Sequence, residues 1–109
     1  MHYEETAIEK LTNSELSAEI LNVKYGKHGV ISFMEQGSAA KLISGDATYI
    51  FNSTSPCDMM QIIIENGISL IFNEGGFWMA RNDKKRFTSI STNPLRAAAC
   101  VFLMMNEGE

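Results

Sequence analysis

Few residues in this 109-residue chain are of the types that do chemistry, and their spacing does not assemble them. The histidines are His2 and His28, and neither stands near a Cys, Asp or Glu at metal-ligand spacing, so no metal site is assigned. The cysteines, Cys57 and Cys100, make neither a disulfide framework nor a zinc site. Both fall in segments with helical, partly apolar patterning, which predicts buried, reduced thiols. Neither a nucleophile elbow nor a zinc-binding helix can be read from the sequence, so no catalytic residue and no cofactor is assigned. Gly75-Gly76 has the backbone freedom to approach a phosphate. It lies between two strand-like runs and not before a helix, so its context reads as a hairpin turn.

The residues that could bind a partner are cationic and aromatic. Arg81, Lys84, Lys85 and Arg86 cluster, with Arg96 further on. From Arg81 to Arg96 there are five bases and one acid, Asp83, a local charge of +4; the chain total is −4, so the remainder carries −8. Such a split can mark a patch for a phosphate-bearing or acidic partner, or it can be a solvated hairpin tip. Trp78 stands just upstream. Facing outward it could stack on a base or anchor a protein interface; facing inward it would pack under a helix. The seven methionines fit adaptable core packing, or an adaptable interaction groove.

These residues must be positioned by a small frame. The length fits one domain, residues 1–109, with one core. The apolar share (45%) and charged share (20%) are those of an ordinary globular chain. The net acidity argues against general nucleic-acid binding. MHYEETAIEK, with Tyr3 and Ile8 as its apolar anchors, lacks the apolar segment of a secretory signal. The longest apolar run, Ala97 to Met105, is nine residues, against about 20 for a membrane span. A soluble protein that stays in the compartment where it is made is expected.

LTNSELSAEIL opens the frame. Thr12 and Glu15 are spaced as a capping box, with Leu11 and Leu16 as its hydrophobic staple, and a helix over Asn13 to Leu21 is predicted. Gly26 and Gly29 bracket a turn at Lys27-His28. Val30 to Phe33, Leu42-Ile43 and Ala47 to Phe51 are strand-like, with turns at Gln36-Gly37-Ser38 and Ser44-Gly45-Asp46. Ser55-Pro56 with Asp58 predicts a capped helix. Met59, Ile62 and Ile63 form its apolar stripe, and Asn66-Gly67 its left-handed exit. Ile68 to Asn73, Phe77 to Arg81 and Arg86 to Ser91 predict a meander. The first turn is either Gly75-Gly76 or Glu74-Gly75, and both registers put Leu70, Phe72 and Met79 on one face. Asn93-Pro94 caps a last helix, LRAAACVFLMMN, that is apolar nearly all round. The expected fold is α+β: a small, mainly antiparallel sheet of about four to six strands with a C-terminal meander, packed by three helices. The last helix carries more apolar surface than one core needs, which predicts a homodimer.

SPCDMMQIIIENGISLIF, FWMAR and NPLRAAACVFLMMNE resemble the NinX-like proteins of lambdoid phages and prophages. That family has a capped first helix, L-[ST]-x-x-E, here Leu11–Glu15. A P-x-D-x-W-P-I-I helix matches Pro56–Ile63, and N-x-I-S matches Asn66–Ser69. A Trp-containing strand follows, at Trp78, and then an N-P-L-R-A-A helix ending in F-L-M-M, at Asn93–Met105. The chain departs at Met60 and Gln61, where the pattern has Trp-Pro, and residues 22–50 show little of it. The resemblance implies an accessory protein in the cytoplasm of a bacterial host cell, from a family without an assigned activity. It supplies no catalytic residues. The leading expectation is a non-enzymatic module that binds a host or phage protein, sometimes a host defence component. The alternatives are a sponge for a nucleotide or nucleotide-derived signal, using Trp78 and the basic hairpin, and a DNA- or RNA-associated factor in phage replication or recombination, which the overall acidity disfavours.

Overall fold

The computed structural model describes residues 5–25, 30–33, 38–84 and 86–106. Among them lie four helices and six strands. In chain order these are α1 (Glu5–Glu9), α2 (Asn13–Tyr25), β1 (Val30–Phe33), β2 (Ala39–Ser44), β3 (Ala47–Asn52), α3 (Pro56–Glu65), β4 (Ser69–Phe72), β5 (Trp78–Asn82), β6 (Phe87–Ser91) and α4 (Pro94–Met105). The α+β class is as expected. The strands, however, divide into two antiparallel three-stranded meanders, β1-β2-β3 and β4-β5-β6, and do not join in one sheet. Sheet-to-sheet continuity is interrupted by α3, which follows β3 directly through the loop Ser53–Ser55. The predicted turns at residues 26–29 and at Gln36-Gly37 lie outside the described residues.

Helix α2 starts as its sequence dictates. The Thr12 N–H donates to Glu15 Oε1 (2.9 Å), and the Glu15 N–H donates to Thr12 Oγ1 (3.1 Å). It runs past the predicted Leu21 to Tyr25, because tertiary contacts hold its last turn. Tyr25 stacks on Tyr49 of β3, with ring centroids 3.9 Å apart and planes at 16°. Lys24 Nζ sits 5.5 Å from the ring of Phe51. At α3 the predicted Ser55–Asp58 box does not form. The Ser55 side chain makes no capping bond. Asp58 Oδ2 instead accepts the Asn52 N–H (2.9 Å), tying the helix to the end of β3. Its exit is a Schellman motif: Ile68 N–H to Ile63 O (3.1 Å), Gly67 N–H to Ile64 O (3.5 Å), and Gly67 at φ +60°. In α4 the cap is as predicted, Asn93 Oδ1 accepting from Leu95 N–H (2.9 Å) and Arg96 N–H (3.3 Å).

Each sheet rests on its own helix: α2 covers β2 and β3, α4 covers β5 and β6, and the two helices pack on each other. Helices α1 and α3 close the remaining sides of α4. Every residue from Ala97 to Met105 is buried, none more than 8% exposed. The all-round apolarity of this helix is therefore satisfied within one chain, and α4 cannot itself be a dimer face. Met59, Ile62 and Ile63 of α3 are buried as predicted, while Met60 and Ile64 are exposed.

Candidate functional site

The second meander carries most of the predicted binding residues, and its register decides where they point. The first turn is neither of the expected two-residue forms. Asn73 N–H donates to Phe77 O (2.8 Å) and Gly76 N–H to Asn73 O (3.0 Å), with Gly76 at φ +87°. This is a three-residue loop whose last residue occupies the left-handed region. It pairs Phe72 with Trp78, Leu70 with Ala80 and Ile71 with Met79. Because the side-chain period is two, the one-step change moves Met79 off the face of Leu70 and Phe72, correcting the expectation.

Along β5, Ala80 and Asn82 are buried, so Trp78, Ala80 and Asn82 face the core and Met79 and Arg81 face out. Trp78 is on the core side, but at the end of the sheet, and stays half-buried. Its ring tilts against Phe72, centroids 5.2 Å apart, and Phe72 is 59% exposed. The outward face has two cross-strand rows. One is apolar, Ile71–Met79–Ile90; the other is Ser69–Arg81–Thr88. Ile71 and Ile90 are both exposed.

Arg81 pairs through Nε with Asp83 Oδ1 at 3.0 Å. Lys84 and Arg86 are exposed in the β5–β6 turn, where Arg86 has φ +61° and its N–H donates to Asn82 O (2.7 Å). Lys85 lies outside the described residues. Trp78 and this turn occupy opposite ends of β5, roughly 13 Å apart at the rise of an extended strand. The structure therefore does not bring the indole and the turn cations into one site.

Arg96 belongs to neither end of this surface. Its Nη1 donates to Asn13 Oδ1 (2.7 Å), and Nη2 donates to Glu9 O (2.9 Å) and to Leu11 O. It clamps the α1–α2 connection onto the first turn of α4. Glu9 Oε2 in turn accepts the Ser89 hydroxyl (3.0 Å). Beside Ser89 lies Cys100, 2% exposed. Burial pushes the Cys100 thiol above its ordinary pKa, and Arg96 and the Ser89 hydroxyl offset part of that rise. Cys57, expected to be buried, is exposed on α3, and both thiols are free.

Sequence reasoning missed a buried polar node. The Ser17 hydroxyl accepts the Ser53 N–H (2.9 Å) and lies within donating reach of Asn13 O (2.9 Å) and Ser38 O. The Ser53 hydroxyl donates to Asn13 O (2.9 Å). No spacing rule joins serines 36 residues apart, so no sequence signal could have found it. A cleft of about 510 Å³ opens where α3 and α4 end against the β5–β6 turn, lined by Glu65, Asn66, Asp83, Lys84 and Met105 among others. Asn82, at its base, donates through Nδ2 to Asn66 O (2.7 Å). The described residues contain no group of three or more His, Cys, Asp or Glu side chains placed to hold a metal ion, and no helix long and apolar enough to cross a membrane.

No protein-family model matches the chain, and no curated protein matches it.

Proposed function

We propose that the chain is a non-enzymatic binding module, and that the outward face of β4-β5-β6 docks a protein segment with apolar residues flanked by carboxylates. The observation that carries this reading is the row Ile71–Met79–Ile90, left open to water beside Arg81 and the cationic β5–β6 turn. One face of an antiparallel sheet is commonly solvated, but then it alternates to polar side chains; an apolar row there costs solubility unless something covers it. The turn cations sit on an otherwise acidic chain, so they favour an acidic partner and steer its approach. The NinX-like resemblance makes a host or phage protein, including a host defence component, the partner class to test first.

Panning a random-peptide display library against the immobilised protein tests this. Enriched peptides should combine apolar residues with Asp or Glu. Ile90→Asp should abolish their binding. Lys84→Glu with Arg86→Glu should weaken it about tenfold at low salt, an electrostatic effect of about 1.4 kcal/mol that added salt should erase. Peptides without acidic residues, or binding indifferent to these substitutions, would overturn the reading. Light scattering on the free protein separates out self-association through the same face.

A further inference from the structure

We propose that the free edge of β4 takes an extended partner segment as a fourth, antiparallel strand, and that this segment reads apolar–apolar–apolar–acid from its N-terminal end. The inference rests on the docking reading above and gives it a geometry. The closing bonds of the β4–β5 loop set which main-chain groups are free. The Asn73 N–H donates to Phe77 O at 2.8 Å, which makes Asn73 and Phe77 a hydrogen-bonded pair. Hydrogen-bonded and non-hydrogen-bonded pairs alternate along an antiparallel ladder. Ile71–Met79 and Ser69–Arg81 are therefore the bonded pairs, while Leu70 and Phe72 turn their N–H and C=O groups away from β5. Strand β4 is an edge of its sheet, and no described residue bonds those outward groups.

The side chains of this edge also await a cover. Helix α4 packs mainly on β5 and β6, so Phe72, on the core side, is still 59% exposed. Ile71, on the outward face, is exposed too. Edge strands are ordinarily shielded by charges, proline or a bulge; Ser69–Phe72 has no charge and no proline, and its register is unbroken. The end of the β3 edge, by contrast, is claimed by Asp58, which accepts the Asn52 N–H. An added strand would set alternate apolar residues against Leu70 and Phe72 on the core side. Its residue beside Ile71 would lengthen the outward row Ile71–Met79–Ile90. Charge fixes the remaining position. Arg81 is paired with Ser69 on the outward face, and Ser69 is small and exposed. A carboxylate on the added strand opposite Ser69 would stand two strand spacings from the Arg81 backbone, about 10 Å, within joint reach of the two side chains. The ion pair of Arg81 with Asp83 lies in water and costs little to exchange.

The probe is a synthetic peptide, acetyl-Ser-Leu-Val-Leu-Glu-Ser-amide, added to the full chain. Its leucines would face Phe72 and Leu70, its valine Ile71 and its glutamate Ser69. Trp78, the one tryptophan of the chain, stands beside Phe72 and reports binding by its fluorescence. N-methylation of either leucine should abolish binding, because those N–H groups bond to β4. N-methylation of the valine, whose N–H points to solvent, should change affinity by less than about threefold. Replacing the peptide glutamate by glutamine should weaken binding about tenfold at low salt, and Arg81→Gln should remove that difference. Absence of binding at millimolar peptide, or equal tolerance of all three N-methyl peptides, would overturn strand addition. A glutamate effect that persists in Arg81→Gln would overturn the register. None of these results touches the docking reading itself, which stands or falls on the composition of the panned peptides and on Ile90→Asp.

Discussion

Arg96 shows how one side chain can carry the charge of a binding residue and the task of a structural one. Its three acceptors sit on the α1–α2 connection, so its loss leaves two backbone carbonyls and the Asn13 amide oxygen without their donor. Arg96→Ala should cost about 2–3 kcal/mol, read from the urea midpoint, as expected when a charged donor is removed from partly buried acceptors. Arg96→Lys should not restore it, because one ammonium cannot match the fork. Glu15 makes a second residue-level prediction. The Thr12 N–H, and after it the Thr12 hydroxyl, hold the Glu15 carboxyl below its usual range. A carboxyl with a depressed folded pKa stabilises the fold above the unfolded carboxylate range. That stability is lost as pH falls through the lower folded value. The stability gap between the parent chain and Glu15→Ala should therefore shrink steadily on acidification below about pH 4. Thr12→Ala, which removes the other half of the box, should cost about 1 kcal/mol at neutral pH.

At the scale of elements, turns and exits set which face each strand presents. Gly67 and Gly76 both have positive φ, and the space around them is open: the nearest atom to a Cβ at Gly67 would be Asn82 Nδ2 at 3.8 Å, and nothing would approach one at Gly76. The cost of alanine is then conformational alone. Gly67→Ala and Gly76→Ala should each lose about 1–2 kcal/mol in chemical denaturation without a change of fold. The capped start of α2, the Asn93 cap of α4 and the Asn66-Gly67 exit were legible in sequence because each is a local hydrogen-bond problem with a local answer. The three-residue β4–β5 loop was not. Glu74-Gly75-Gly76 allows more than one turn, and the choice is made by how the paired strands pack on α4. That choice turned Met79 outward and brought it into line with Ile71 and Ile90.

For the whole molecule, α4 is the centre on which both halves close. Met104 is 1% exposed, and Met104→Ala should cost roughly 2–5 kcal/mol by the usual transfer and cavity terms. Ile90, half-exposed on the outward sheet face, is the opposite case. Ile90→Asp should change stability by no more than about 0.5 kcal/mol while abolishing peptide binding. The contrast separates the residue set that holds the fold from the set offered to a partner. It also bears on self-association: a homodimer must use a face other than α4, and a monomeric mass by light scattering at micromolar concentration would leave the apolar row free for a different protein.

The sequence by itself determined the α+β class, the starts of α2, α3 and α4, the exit of α3, the second meander, and the apolar character of α4. These follow from period, capping and turn chemistry, all of which act within a few residues. Only the tertiary structure decided that the strands form two sheets, that α4 is fully covered by its own chain, and that the cations and Trp78 are separated. It moved Arg96 from the binding surface into the α1–α2 clamp, and it buried Cys100 while leaving Cys57 exposed. Each of these depends on contacts between segments far apart in the chain, where charge and polarity along the sequence carry no distance information. Arg96 and Lys84 look like one cluster in sequence. In the fold, strand β6 lies between them, and hydrogen-bond acceptors more than 80 residues upstream claim one of the two.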